Sequence, residues 1–220
     1  VADAWERADL GNALVNSLIV SVIGVAVAVV LSLSAAYWFT IHRTRAANRL
    51  RSVLAFGYAF PAVIWIIPLF VFLVRRDLTD SHLVLGMVYG VSNVPFGLYL
   101  IYSFNQQTLK SEILEAARID GASSLQQFRY VAVPLARPAA AALAALVFVW
   151  SFGDLLFAVV LLQDSDKWTI PIAAVTLVSR QNINPQAQAG AALVALLPSL
   201  LVVLLAQRAL VRGFGGGGTD

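Results

Sequence analysis

The sequence lacks cysteine, has a single methionine and is poor in charged residues. Without cysteine the chain can form neither a disulfide bond nor a thiolate metal site. Charged residues make up 12% of the 220 positions and hydrophobic residues 60%, whereas a soluble domain carries about a quarter charged residues. A single core of this size cannot bury so much apolar surface, so we expect a lipid bilayer to be part of the solvent.

Sequence patterns for nucleotide binding, catalysis and metal binding are also absent. The G-x-x-x-x-G-K-[ST] pattern does not occur, so the chain cannot hold nucleotide phosphates in that way. No cluster of His, Asp and Glu suggests an intramembrane enzyme or a metal site, and His42 and His82 fall on opposite sides of the predicted membrane. The net charge of +3 is small and its basic residues are dispersed, so we expect no nucleic-acid partner.

Five apolar stretches are long enough to cross the bilayer as helices, since about 20 helical residues span ~30 Å of hydrocarbon. None of them alternates in the manner of a barrel strand. The sequence therefore predicts an all-α, polytopic transmembrane helix bundle that forms one domain over residues 1–220. The predicted spans are 14–41, 52–74, 83–104, 139–162 and 189–211.

The basic residues between the spans predict the orientation. Ten Lys and Arg residues fall on the side of the 105–138 loop and five on the other side, and the side richer in Lys and Arg is normally cytoplasmic. This places the loop and the C-terminus in the cytoplasm, with the Arg75–Arg76 pair as a local exception. The glycine run Gly215–Gly218 near the end predicts no single conformation.

The 105–138 loop has the pattern of two short amphipathic helices. Ser111 is predicted to cap the first helix, which runs to Ile119, and Gly121 suits the left-handed position after a helix. Ser124 and Gln127 have the spacing of a capping box for the second helix, which Pro134 is predicted to end. The loop is therefore expected to form a helix–turn–helix.

The same loop resembles the EAA loop of ABC importer permeases. Glu115-Ala116-Ala117 is followed after three residues by Gly121 and after nine more by Val131-Ala132-Val133-Pro134. The family pattern is EAA, three residues, G, nine residues and I-x-L-P, so only the two valines depart from it. The resemblance implies a coupling helix that docks into a separate ATPase subunit. The residues it assigns to this contact are Glu115, Ala116, Ala117, Asp120, Gly121, Phe128 and Pro134.

Further segments resemble carbohydrate importers related to the maltose permease, in the manner of their second permease subunit. These are Asn16-Ser17-Leu18, Ala35-Ala36-Tyr37, the paired Pro61 and Pro68, and Thr169-Ile170-Pro171. Such permeases have six spans, so the family's first span is expected to be missing here. The resemblance also implies a bacterial plasma-membrane location, a second permease chain in a heterodimer, two ATPase subunits that bind ATP and Mg, and an extracytoplasmic solute-binding protein. It implies no cofactor on this chain.

The predicted substrate path rests on polar residues within the spans. Asp154 is the one acidic residue well inside a predicted span, where a charge costs roughly 2.5–3.5 kcal/mol on insertion scales and is expected to face a cavity or a partner. Asn93 lies beside Pro95 and Gly97, where a kink is expected. The residues assigned to the path are Asp154, Asn93, Tyr89, Trp150 and Ser151.

The sequence does not identify the transported solute. Carbohydrate is the main prediction, and a glycerol phosphodiester or a polyamine is the alternative. A secondary transporter is a weaker alternative, because ion coupling calls for several charges inside the spans.

Overall fold

The computed structural model describes residues 9–57, 61, 63–179 and 185–214, and over these residues it is helical with no β-strand. The predicted glycine run at 215–218 and the basic residues Arg7 and Arg180 lie outside the described residues. The helices are α1 (Leu10–Ile41), α2 (Arg45–Gly57), α3 (Val63–Val74), α4 (His82–Ser92), α5 (Val94–Thr108), α6 (Ser111–Ile119), α7 (Ser124–Gln127), α8 (Val133–Gly153), α9 (Leu156–Leu161), α10 (Ile170–Ser179) and α11 (Pro185–Phe214). A π turn, Phe128–Ala132, joins α7 to α8, and a 3-10 turn, Ser165–Lys167, precedes α10.

The 32-residue helix α1 is the centre of the bundle and packs against α4, α5 and α8. It begins at a cap in which Asp9 Oδ1 accepts the N–H of Asn12 at 3.4 Å. At 1.5 Å per residue the helix is about 48 Å long, which exceeds the ~30 Å hydrocarbon core of a bilayer. Its C-terminal turns can therefore reach residues that lie outside the membrane.

Glycines allow α1 and α4 to approach closely. Gly86 and Gly90 form a G-x-x-x-G pair, and a Cβ atom added at Gly90 would lie 2.5 Å from the Cβ of Val27 and 3.0 Å from the carbonyl oxygen of Gly24. Helices in lipid gain little from the hydrophobic effect between them, so close van der Waals packing through small residues holds them together. The α1–α4 contact is an instance of that packing.

Two buried clusters fill the bundle on either side of this contact. The cluster toward the N-terminal end of α1 includes Val20, Leu85, Tyr89, Phe157 and Leu161. The cluster toward the C-terminal end of α1 includes Ala28, Phe39, Leu98, Ile101, Leu143 and Val147.

Two described helices, Leu10–Ile41 and Ser124–Gly153, are each long and apolar enough to cross a membrane, and the bent pair α4–α5 makes a third candidate. The predicted span 14–41 lies within α1. The predicted span 83–104 is bent by 45° where α4 meets α5 at Asn93. The predicted span 189–211 falls within α11, of which Leu196–Gln207 is a shorter apolar part.

Two predicted spans have different bounds in the structure. The helix expected over 52–74 is described as two helices, α2 and α3, with residues 58–60 and 62 outside the described part of the chain. The helix expected over 139–162 begins much earlier, at Ser124, and ends at Gly153. The short helix α9 follows after a break at Asp154 and Leu155. Hydropathy did not reveal this break, because the residues on both sides of it are apolar.

Candidate functional site

The segment 111–132, called the knuckle below, turns sharply after α6. Gly121 has a φ of 83°, its N–H donates to the carbonyl of Arg118 at 3.0 Å, and the N–H of Ala122 donates to the carbonyl of Ala117 at 2.9 Å. These two bonds form a Schellman motif, whose left-handed position favours glycine because a side chain there is strained. The predicted left-handed bend at Gly121 is confirmed.

The caps of the knuckle helices lie one residue earlier than predicted. Ser111 and Ser124 are the first helical residues of α6 and α7 rather than their caps. The capping box of α7 is formed by Ser123, whose Oγ accepts the N–H of Gln126, and by Gln126, whose Oε1 accepts the N–H of Ser123 at 2.7 Å. Gln127 is buried instead. Ser123 and Ser124 each stand three residues before a glutamine, so the sequence pattern fits a capping box in either of two registers.

The knuckle is attached to the C-terminal end of α1 through Tyr37. The Tyr37 hydroxyl donates to the carbonyl of Ser124 at 3.3 Å, and its ring centroid lies 5.2 Å from that of Phe128. Phe128, which the resemblance assigns to the ATPase contact, is half-buried and packs on one side against its own chain. Three buried residues complete this cluster, namely Leu109, Leu114 and Ala132.

Most of the predicted coupling residues are exposed on the surface of the knuckle. Glu115, Ala116, Asp120 and Gly121 are exposed, while Ala117 is half-buried. The most exposed apolar side chains on the knuckle are Ile119 and Leu125, at 87% and 72% exposure. A cleft of about 260 Å³ lies between the knuckle and α1, and it is lined by Thr40, Ile41, Arg43, Leu109, Ser111, Leu114, Glu115 and Arg118.

Pro134 does not end a helix, contrary to the prediction. It occupies the first turn of α8, and the helix continues without interruption to Gly153. The π turn over Phe128–Ala132 comes directly before it. Such a local adjustment lets a membrane helix continue past a proline, which lacks the N–H that an α-helix needs. The knuckle therefore continues into α8 without a helical break.

Asp154 lies at the break between α8 and α9, where it binds two groups. Its Oδ2 atom accepts the Tyr89 hydroxyl at 2.7 Å and the N–H of Phe157 at 2.9 Å. The second bond satisfies a free N–H in the first turn of α9. Tyr89 itself is 4% exposed, so the pair joins α4 to the break across the bundle core.

The other residues of the predicted substrate path are arranged around this pair with one exception. Asn93 donates from Nδ2 to the backbone carbonyl of Tyr89 at 2.9 Å at the bend between α4 and α5. Ser151 is buried one turn before Asp154, and its hydroxyl has no partner among the described residues. Trp150 is directed elsewhere, because it is 40% exposed and its ring packs edge-on against Phe96.

The end of the bundle opposite the knuckle carries a hydrogen-bonded clamp that the sequence did not predict. Asn16 donates from Nδ2 to the carbonyls of Asp166 and Trp168 at 2.9 and 3.0 Å, and the Ser17 hydroxyl accepts the N–H of Ile170 at 2.8 Å. The Asn16-Ser17-Leu18 and Thr169-Ile170-Pro171 segments, which resemble the same family separately, thus meet in space. Both clamp residues, Asn16 and Ser17, are buried, so the loop before α10 is held against α1.

The turn before α4 holds the same loop from the other side. Asp80 Oδ1 accepts the N–H groups of Gln163 and Asp164, the latter at 2.8 Å. The Nε2 atom of His82 lies 2.9 Å from the carbonyl oxygen of Lys167. His82 therefore supports a loop, and His42 stacks on Trp38 at the far end of α1.

A long central helix, glycine-mediated helix packing and a protruding knuckle define this chain as the membrane-embedded subunit of a transporter. Residues 28–215 match the family of binding-protein-dependent transport system inner membrane components, and the chain belongs to that family. It is a multi-pass membrane protein and an ABC importer permease, which is a transport component rather than an enzyme. Membership implies an ATPase and a solute-binding protein as partners.

Relatives over nearly the whole chain are ABC transporter permeases by name. ORF1 of Streptomyces antibioticus, which carries the name of an ABC transporter permease protein, is 35% identical over 97% of this chain and 93% of its own. The melibiose/raffinose/stachyose import permease protein MelC of Bacillus subtilis is 28% identical over 98% of this chain and 78% of its own. The diacetylchitobiose uptake system permease protein NgcG of Streptomyces coelicolor is 32% identical over 94% of this chain and 69% of its own.

A solved structure shares the fold. It is that of a bacterial ABC transporter involved in the import of the acidic polysaccharide alginate, which matches with a TM-score of 0.77 at 24% identity. The match covers 93% of this chain and 78% of that chain.

Proposed function

We propose that this permease translocates a carbohydrate together with a second, different permease chain, and that the knuckle receives the driving force from the ATPase. The knuckle carries the proposal, because it projects an exposed, glycine-bent helix from the bundle while its other side is fixed to α1. A movement applied to such a surface passes into the spans and is not lost in a flexible loop.

The coupling surface of the proposal comprises Glu115, Ala116 and Ala117 with Asp120 and Gly121. The exposed Ala116 has only a methyl group, so a partner can approach the backbone closely there. Glu115 and Asp120 supply negative charge for basic residues of an ATPase. Ile119 and Leu125 add the apolar contacts that are expected at the centre of an interface.

Transmission into the bundle follows two connections. Tyr37 joins the knuckle to α1, and the π turn joins it to α8, so the two central helices of the bundle receive the same displacement. ATP-driven closure of the ATPase pair then shifts the bundle between inward-facing and outward-facing states, as a two-state equilibrium. ATP and Mg are bound by the ATPase and no cofactor by this chain. The knuckle end of the bundle and the C-terminus face the cytoplasm.

Carbohydrate as the solute is supported by the names of two relatives, MelC and NgcG, which refer to oligosaccharide uptake. We infer that the Tyr89–Asp154 pair and Ser151, whose hydroxyl has no partner among the described residues, contribute hydroxyl, carboxylate and aromatic groups to the substrate path. Sugars are bound through such groups, by hydrogen bonds to their hydroxyls and by contact with aromatic faces.

The coupling assignment is tested by charge reversal in the complete transporter. Glu115→Lys is expected to weaken association with the ATPase by about tenfold or more, because a charged hydrogen-bond partner contributes roughly 1.5–3 kcal/mol. Glu112→Lys makes the same charge change on the same helix, and we expect it to have a smaller effect. Co-purification with the ATPase, or its affinity for the immobilised permease complex, distinguishes the Glu115→Lys variant from the Glu112→Lys variant. Equal losses, or none for Glu115→Lys, contradict the assignment.

The solute assignment has its own test. The cognate solute-binding protein is titrated calorimetrically with oligosaccharides, glycerol phosphodiesters and polyamines, and uptake of the bound solute is then measured in vesicles. Heat of binding and uptake are expected with an oligosaccharide. Binding and uptake confined to a phosphodiester or a polyamine contradict the carbohydrate proposal and leave the coupling assignment standing.

A further inference from the structure

Helix α2 differs from the predicted span 52–74, because it begins at Arg45 and only about half of its residues fall within that span. It begins directly after a three-residue connection from α1, where Thr44 Oγ1 accepts the N–H of Ala47 at 3.1 Å. This is an ordinary N-terminal cap, so the helix starts at a defined point. Its position after the C-terminal end of α1 places it at the same end of the bundle as the knuckle.

One narrow side of α2 is fixed to the bundle. Ala47 is 3% exposed within the cluster that contains Leu98 and Ile101. The guanidinium carbon of Arg51, one turn later, lies 4.1 Å from the centre of the Tyr102 ring on α5. Contacts at residues 47 and 51 fix the rotation of the helix about its own axis. The directions of its other side chains are therefore defined.

The remaining surface of α2 is divided into two exposed arcs. Leu50, Val53 and Leu54 are 49%, 66% and 36% exposed, and their spacing places them on one arc. The exposed Arg45, Asn48 and Arg49 lie on the other arc, together with Ser52 and one exposed aromatic residue, Phe56. The helix is thus amphipathic, and both its apolar and its basic face point away from the described bundle.

Along the chain, the charge around α2 has one sign. Residues 42–57 contain four arginines and no acidic residue, and the nearest acidic residues along the chain are Asp9 and Asp77. A soluble acidic partner would pair with the arginines but would leave Leu50 and Val53 in water. A membrane surface with anionic lipids satisfies both arcs, because it offers phosphate groups beside hydrocarbon.

We propose that α2 is an interfacial helix that binds anionic phospholipid headgroups, with Arg45 and Arg49 at the phosphates and Leu50, Val53 and Leu54 in the upper acyl region. Such a helix anchors the connection between α1 and α3 at the membrane surface. Each arginine near an anionic membrane surface is expected to contribute about a fivefold preference for anionic over zwitterionic lipid.

The absence of cysteine allows the position of the helix to be measured with single spin labels. The complete transporter carrying Val53→Cys is labelled and placed in nanodiscs, and Asn48→Cys is the matched control on the other arc. The Val53 label is expected to be accessible to oxygen and shielded from a water-soluble relaxation agent, and the Asn48 label to show the reverse. Equal exposure to the aqueous agent, or shielding of Val53 from both agents by a protein, overturns the proposal.

The charge preference is measured separately with brominated lipids and a fluorescent label at Val53→Cys. Brominated phosphatidylglycerol, mixed into phosphatidylcholine, is expected to quench the label several-fold more than brominated phosphatidylcholine at the same fraction. Arg45→Gln with Arg49→Gln is expected to abolish this difference, while Arg75→Gln, an exposed arginine outside α2, leaves it intact. Equal quenching by the two lipids in the unmodified background, or a preference that survives the double substitution, overturns the proposal.

Discussion

Replacement of Gly121 by alanine tests whether the bend of the knuckle depends on a left-handed residue. No atom of the described residues lies within 4 Å of the position of an added Cβ, so the substitution causes no clash with them. The backbone cost is separate from space, since a left-handed φ costs an L-residue roughly 1–2 kcal/mol. Alanine also lowers the conformational entropy of the unfolded chain, which stabilises the folded state by about 0.4–1 kcal/mol. A net loss of about 1 kcal/mol corresponds to about fivefold in the opening of the turn.

Hydrogen exchange of the Ala122 amide in the complete transporter measures this opening, because that N–H closes the bend on the Ala117 carbonyl. We expect about fivefold faster exchange for Gly121→Ala, a smaller change for Gly121→Asn and a larger one for Gly121→Val, in the order of left-handed preference. ATP-driven uptake is expected to fall in the same order. Gly57→Ala is the matched control, because no atom of the described part of the chain lies within 4 Å of a Cβ added there and its φ is not positive. Equal exchange in Gly121→Ala and the unmodified protein refutes the reasoning.

Two further predictions concern the bundle. Gly90→Ala is expected to destabilise the protein by about 1–3 kcal/mol through overpacking against Val27. Gly153→Ala is expected to have little effect, because an added Cβ there meets no atom of the described residues within 4 Å. Thermal unfolding in detergent measures both, and equal melting temperatures contradict the close α1–α4 contact. Asp154→Ala is expected to cost about 1–3 kcal/mol because it leaves the buried Tyr89 hydroxyl unpaired, and a double-mutant cycle with Tyr89→Phe is expected to give a coupling of about 0.5–3 kcal/mol. Additive losses in that cycle count against the hydrogen bond.

The glycine bend illustrates what could be predicted before any coordinates. The spacing from Glu115 to Gly121, the short amphipathic pattern around it and the left-handed position depend on residues close together in the chain. Local interactions of this kind follow from residue type. Errors in the same segment were also local, since the serine–glutamine spacing fits two capping registers one residue apart.

The directions of the side chains could not be predicted in this way. Phe128 packs against Tyr37 near the C-terminal end of the 32-residue helix α1, which is a contact between residues far apart in the chain. Hydropathy likewise predicted one helix over 52–74, because these residues are continuously apolar, whereas the structure describes the two helices α2 and α3.

The sequence by itself determined the class of this protein, because scarcity of charge and helix-length apolar runs admit few structures besides a membrane bundle. Its one motif of high specificity lies within a single short segment. Only the tertiary structure decided which polar groups meet, because Tyr37 and Ser124 are 87 positions apart, Tyr89 and Asp154 are 65 apart, and Asn16 and Trp168 are 152 apart. Contacts over such distances result from the packing of whole helices, which no local pattern encodes.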